Sequence, residues 1–139
     1  MVPKTVFTQT PDFSGTWILN LEKSTLEHNA DGLTASTFII EQDEERVRLT
    51  RYHYYGDKKN KISFKMVADG ETRRVKVLFK GKLEKTTDGL KASLWRNNFN
   101  NVVQYSFGMN ENEFIADEVF LGLPEDHHNI WVFDRETNK

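Results

Sequence analysis

From Arg46 to Lys80 the chain alternates with a period of two. In "ERVRLTRYHYY", Val47, Leu49, Arg51 and His53 share one side of an extended backbone, and Arg46, Arg48, Thr50 and Tyr52 share the other. "NKISFKM" sets Ile62, Phe64 and Met66 against Lys61, Ser63 and Lys65, and "RRVKVLFKG" sets Val75, Val77 and Phe79 against Arg74, Lys76 and Lys80. Successive side chains leave a pleated strand on opposite faces, so this pattern marks antiparallel strands with one face buried. A helix would need a repeat near 3.6 instead.

Turn residues punctuate the alternation. Asp69-Gly70 and Asp88-Gly89 are hairpin dipeptides that accept positive φ. Gly56-Asp57, the "NNFNN" stretch (Asn97 to Asn101) and Met109 to Asn112 read as further turns. Strands are expected near 14–20, 34–42, 45–54, 60–68, 72–80, 82–86, 90–97, 102–108, 113–121 and 128–135. Gly81 reads as a bulge or sharp bend, across which the piece at 82–86 continues its predecessor. Ser24-Thr25-Leu26-Glu27 fits a capping box and predicts one short helix after the first strand, ending by Asp31-Gly32. The spacing is that of an all-β sandwich or barrel.

A chain of 139 residues suits one domain, expected over 12–136 behind a flexible arm at 1–11 that Pro3 and Pro11 mark. The absence of cysteine excludes disulfides, thiolate metal sites and a Cys nucleophile. Apolar runs are too short to span a bilayer, and "MVPKTVFTQT" lacks the apolar core of a signal peptide. The net charge of −2 conceals an asymmetry: Arg46 to Lys91 holds 14 Lys and Arg against 5 Asp and Glu, and the remainder is acidic. Lysines at alternate strand positions are ordinary solvent-facing, edge-protecting residues. The mixed stretch "RYHYYGDKKNK" and a pI near 6.1 do not make a nucleic-acid binder.

Gly15 and Trp17 in "DFSGTWILNLEKS" share a strand face, as do Trp131, Phe133 and Arg135 in "NIWVFDRE". Should the first and last strands meet, Arg135 would stack on Trp17. A G-x-W on the first strand with an Arg on the last resembles the signature of the calycins, the lipocalins and fatty-acid-binding proteins among them. The opening further resembles a large group of uncharacterised bacterial lipocalin-like proteins that begin D-[FL]-S-G-T-W-x-L-[ND] followed by K-S. The matching pieces are Phe13 to Trp17, Lys23-Ser24, Ile40-Glu41-Gln42, Asp88-Gly89, Lys91 to Trp95 and Val132 to Arg135. The chain departs from that group at "NNFNN" and "YSFGMNENEF".

The resemblance implies an up-and-down antiparallel β-barrel of about eight to ten strands, with Gly15, Trp17 and Arg135 closing one end. It also implies a periplasmic or secreted location with the export signal lying outside this chain; a cytoplasmic location is the alternative.

Projected inward, the alternating face lines the barrel with Ile18, Phe38, Ile40, Val47, Leu49, Ile62, Phe64, Met66, Val75, Val77, Phe79, Leu94, Tyr105, Phe107 and Phe133. Such a wall suits a small apolar or amphipathic ligand, and filling by the side chains themselves is the alternative. Arg51, His53 and Arg96 continue that face, so Arg51, His53, Arg96 and Tyr105 are the expected polar contacts and Phe64, Met66, Phe79 and Phe107 the apolar ones. An inward arginine needs an anion, and a ligand carboxylate would supply it. The alternatives are a strand end that reaches solvent, or pairing with Glu118 or Asp117.

The expected function is ligand carriage. An isomerase, lyase or hydrolase using His53, Tyr105 and a carboxylate, and a packed barrel without ligand, are the other readings. No catalytic motif, cofactor or metal site is assigned: His127 and His128 in "EDHHN" would point to opposite faces of a strand. The expected state is a monomer or weak homodimer.

Overall fold

The alternation curls one antiparallel sheet into a ring. The computed structural model describes residues 11–27, 31–76, 79–97, 99–122 and 126–136. Among them the strands are β1 (Gly15–Leu19), β2 (Thr25–Leu26), β3 (Ala35–Gln42), β4 (Arg46–Tyr55), β5 (Lys58–Val67), β6 (Arg73–Lys76), β7 (Phe79–Lys85), β8 (Gly89–Arg96), β9 (Phe99–Phe107), β10 (Glu113–Gly122) and β11 (His127–Arg135). Hydrogen-bonded order is β5-β4-β3-β1-β11-β10-β9-β8-β7-β6, with β2 added beside β11. From β3 to β5 and from β6 to β11, chain neighbours are sheet neighbours, and β1 joins β3 to β11 to link the two runs. The ten long-path strands form a nearly closed barrel. At its seam β5 lies beside β6 and β7 with no ladder between them.

Burial follows the pleat. Ser36, Phe38 and Ile40 of β3 face inward, as do Val47 and Leu49 of β4 and Phe114, Ala116 and Glu118 of β10. Ile18 breaks the expected lining: Trp17 is fully buried and its neighbour Ile18 is 37% exposed, because adjacent strand residues cannot share a face.

The expected helix is absent from the described part of its segment. Thr25 and Leu26 pair with Ile130 and Asn129 of β11 instead. The Ser24 hydroxyl accepts a hydrogen bond from the Val132 N–H at 2.9 Å and donates to the Asn20 carbonyl at 2.8 Å. The Glu27 carboxylate accepts from the His128 N–H at 3.0 Å, and the Glu27 N–H donates to Asn129 Oδ1. The capping groups are thus used across the sheet. Beyond β1 the edge of β11 would carry unpaired backbone groups, and this segment satisfies them.

The expected single strand over 72–80 is two, β6 and β7, which pair antiparallel with each other. The irregularity lies in β6, between Arg74 and Lys76, and not at Gly81. Gly81 sits inside a regular β7 ladder opposite Leu94, where a Cβ would come within 2.9 Å of Leu94, the Ser93 carbonyl and Val75. It is a point of close packing. The expected inward residue Val77 and most of the arm at 1–11 lie outside the described residues. In "NNFNN", Asn97 takes a positive φ of 52°, and β9 already begins at Phe99.

One end of the barrel is filled with rings. Phe13 meets Phe107 and Phe114 at centroid distances of 4.9 and 5.1 Å, Trp17 stacks on Phe114 at 5.1 Å, and Tyr105 stacks on Phe114 at 5.6 Å. Phe38 packs on Phe114 and Phe133. Trp17 Nε1 donates to the Phe13 carbonyl at 2.9 Å, so its one polar atom is satisfied inside the plug.

Trp17 and Arg135 are direct partners in the β1–β11 ladder, and the guanidinium lies 4.3 Å from the indole centroid. Arg135 also donates to the Glu111 carbonyl at 2.8 Å and the Ser14 carbonyl at 3.2 Å, which ties β11, the β9–β10 turn and the start of β1 together. Gly15 makes room for it. Its φ is 141°, and a Cβ there would lie 2.9 Å from Arg135 Nη1.

Candidate functional site

At the other end the same strands diverge around a cavity of about 760 Å³. Ile62, Phe64, Phe79, Leu94, Phe120 and Trp131 give it apolar and aromatic surface, and Arg51, His53, Asn101, Glu118 and Asn129 give it polar surface. Its mouth lies toward the β4–β5 turn and the short β2, where Glu27, Asp31 and Asn60 are exposed. Two smaller voids, of about 10 and 20 Å³, lie between this space and the aromatic plug. Arg51, Glu118, Val103 and Tyr105 line both.

β4 positions two of the polar groups. It carries Val47 and Leu49 into the packed region, and two and four residues later it presents Arg51 and His53 to the cavity. His53 is opposite Ser36 in the β3–β4 ladder; Ser36 Oγ and His53 Nδ1 share a hydrogen bond at 2.9 Å, and the imidazole stacks on Trp131 at 5.3 Å. Burial pushes the His53 pKa down to about 4, with the charge of Arg51 adding to the effect. The ring is therefore neutral at neutral pH.

Arg51 differs from every arginine that the fold uses structurally. Arg135, Arg73 and Arg48 each have a carbonyl or carboxylate partner. Arg51 makes no hydrogen bond or ion pair with any described residue. No side-chain nitrogen or oxygen that is sealed from solvent lacks a partner among the described residues, so the guanidinium nitrogens of Arg51 are reached from the cavity. An unengaged cation in a half-enclosed, only partly polar space is costly unless an anion completes it.

Glu118 is the other charge in the floor. It is 4% exposed. Its Oε1 accepts from Trp131 Nε1 at 2.7 Å and its Oε2 from Asn101 Nδ2 at 2.9 Å. The expected alternative of an Arg51–Glu118 ion pair is not formed. Burial raises the Tyr105 hydroxyl pKa above its ordinary value, Arg51 opposing and Glu118 adding to the shift.

The remaining expected contacts are spread along the barrel axis. Phe64 and Phe79 line the large cavity, Met66 and Tyr105 line the void beneath it, and Phe107 belongs to the aromatic plug. Arg96, at the end of β8, is exposed and does not line the cavity; its guanidinium lies 5.5 Å from the ring centroid of Phe79, which does. His128 and Asp117 pair at 2.6 Å on the outer surface, away from the cavity. Sequence reasoning named Glu118 only as an ion-pair partner for the inward arginines and missed Asn101. The signal was present for Glu118: Phe114, Ala116, Glu118 and Phe120 share one parity of β10.

No protein-family model matches the chain, and no curated protein matches it in sequence. Solved structures match it in fold. Zebrafish ileal bile acid-binding protein complexed with cholic acid superposes with a TM-score of 0.62 at 11% identity, covering 89% of this chain and 98% of that one. Fatty-acid-binding protein 1 of Echinococcus granulosus superposes at 0.61 with 14% identity, covering 90% and 98%. A mutant of the fluorescent protein UnaG superposes at 0.61 with 12% identity, covering 91% and 97%. At such identities the likeness is one of fold: a nearly closed antiparallel β-barrel like that of the fatty-acid-binding protein.

Proposed function

We propose that the protein carries a small amphipathic molecule with an anionic headgroup. The observation that carries this reading is Arg51, a cavity-facing guanidinium with no described partner, at the floor of a space of about 760 Å³. A cavity of that size accommodates a ligand of lipid or steroid dimensions. In the bound state the headgroup rests on Arg51 with the Tyr105 hydroxyl beside it. The apolar body runs up the wall of Phe64, Ile62, Leu94, Phe79 and Phe120 toward the mouth. The printed names of two structural neighbours, a bile acid-binding and a fatty-acid-binding protein, accord with it.

A barrel enzyme built on His53, Tyr105 and a carboxylate would need those groups within hydrogen-bond reach. His53 bonds to Ser36, and Glu118 to Trp131 and Asn101. No hydrogen bond among the described residues joins His53, Tyr105 and Glu118, and the carrier reading needs none.

Displacement of anilinonaphthalene sulfonate from delipidated protein tests the proposal. Dodecanoate should compete about tenfold better than dodecanol, since a hydrogen-bonded contact to a charged group contributes roughly 1.5–3 kcal/mol. Arg51→Met should erase that difference. Failure of both compounds to displace the dye would sink the reading.

A further inference from the structure

Arg51 and Glu118 border the same two voids at the cavity floor, carry opposite charge, and are not bonded to each other. Each is in a different state of satisfaction. Glu118 has one neutral N–H donor on each oxygen, from Trp131 and Asn101, and these bonds fix the plane of its carboxylate. A carboxylate offers about four lone-pair sites, so one remains on each oxygen. Arg51 has its whole donor fork unspent. A plain carboxylic acid would complete the arginine only, and it would bring its negative charge up against the buried carboxylate of Glu118. A headgroup that also holds a proton donor beside its carboxylate would complete both.

We infer that Glu118 is the specificity-determining residue of this site, selecting ligands whose carboxylate has a neighbouring O–H or N–H, such as an α-hydroxy or α-amino fatty acid or an N-acyl amino acid. The inference rests on the carrier reading with Arg51 as anion contact. The voids support the placement: each is the size of a single water or hydroxyl group, so the donor must sit next to the carboxylate and not far along the chain. Trp131 and Asn101 act through Glu118. They hold it in the orientation that presents its free lone pairs, and they are positioning residues.

The experiment compares dodecanoate with α-hydroxydodecanoate, each displacing anilinonaphthalene sulfonate from the delipidated full chain. On the wild-type protein the hydroxy acid should bind about tenfold tighter, the effect of one hydrogen bond to a charged acceptor. Glu118→Gln keeps the volume and one acceptor oxygen. In that variant the ratio should fall to about two- to threefold, and dodecanoate itself should bind more tightly than to the wild type, because a like charge beside its headgroup is gone. A merely structural Glu118 would weaken both ligands together.

Equal binding of the two acids by the wild type, with dodecanoate still dependent on Arg51, overturns the role of Glu118 and leaves the carrier reading standing. Displacement by neither acid removes the carrier reading, and this inference with it. Should Glu118→Gln fail to fold, the wild-type ratio decides alone.

Discussion

At the plugged end of the barrel Phe13, Trp17, Phe38, Phe107, Phe114 and Phe133 meet ring to ring; around the cavity the inward positions of the same strands carry Arg51, His53, Asn101, Glu118 and Asn129. The change happens within single strands. β4 runs from Val47 and Leu49 to Arg51 and His53, β9 from Tyr105 and Val103 back to Asn101, and β11 from Phe133 and Trp131 back to Asn129. One alternating pattern therefore builds two regions with opposite physical roles. The aromatic end supplies dense packing and closes the sheet. The polar end leaves volume and charge unspent.

Four measurements test this contrast. Trp17→Ala should be the most damaging change, costing about 3–5 kcal/mol by chemical denaturation, because it opens a hole in a fully buried plug. Phe64→Ala, on the half-buried cavity wall, should cost only about 1–2 kcal/mol and mainly weaken ligand binding. Comparable losses at the two sites would break the division of roles. The two arginines sharpen it. Arg135→Met forfeits the stack on Trp17 and two carbonyl contacts, and should cost about 1–2 kcal/mol. Arg51→Met forfeits no described contact and should leave the denaturation midpoint unchanged or slightly raised in the ligand-free protein.

A further effect concerns pH. His53 is held near 4 in the folded state against 6.5 for the ordinary imidazole, so between those values the unfolded chain binds the extra proton. Its contribution is therefore intact above pH ~6.5 and is lost as pH falls toward ~4. Partial exposure limits it to roughly 1 kcal/mol. Denaturation midpoints of His53→Gln, which keeps a polar partner for Ser36, should lack this part of the acid slope.

The alternation made the strands legible, because pleat and burial impose the same period of two on β3, β4, β5 and β10. The meeting of Trp17 with Arg135 was legible as a conditional, since it needed the first and last strands to be neighbours. The segment after β1 was not. Ser24 and Glu27 have the chemistry of a helix cap, and only the exposed edge of β11, more than 100 residues away, redirects them into pairing. Local chemistry was overridden by a distant backbone demand. The split of β6 from β7 was hidden for a related reason: no glycine, proline, asparagine or aspartate stands in the sequence between Lys76 and Phe79 to announce it. Arg51 and His53 were visible as inward residues by parity. The cavity around them was not, since parity says which way a side chain points and nothing about how far the opposite wall stands.

Among the described residues no ladder joins β5 to its neighbours β6 and β7, which leaves the hoop an unfastened joint. Widening the wall anywhere else means pulling apart rows of amide–carbonyl bonds together. At this joint it means sliding side chains past one another. Any widening of the ring would therefore begin at this one slit and not around the whole circumference.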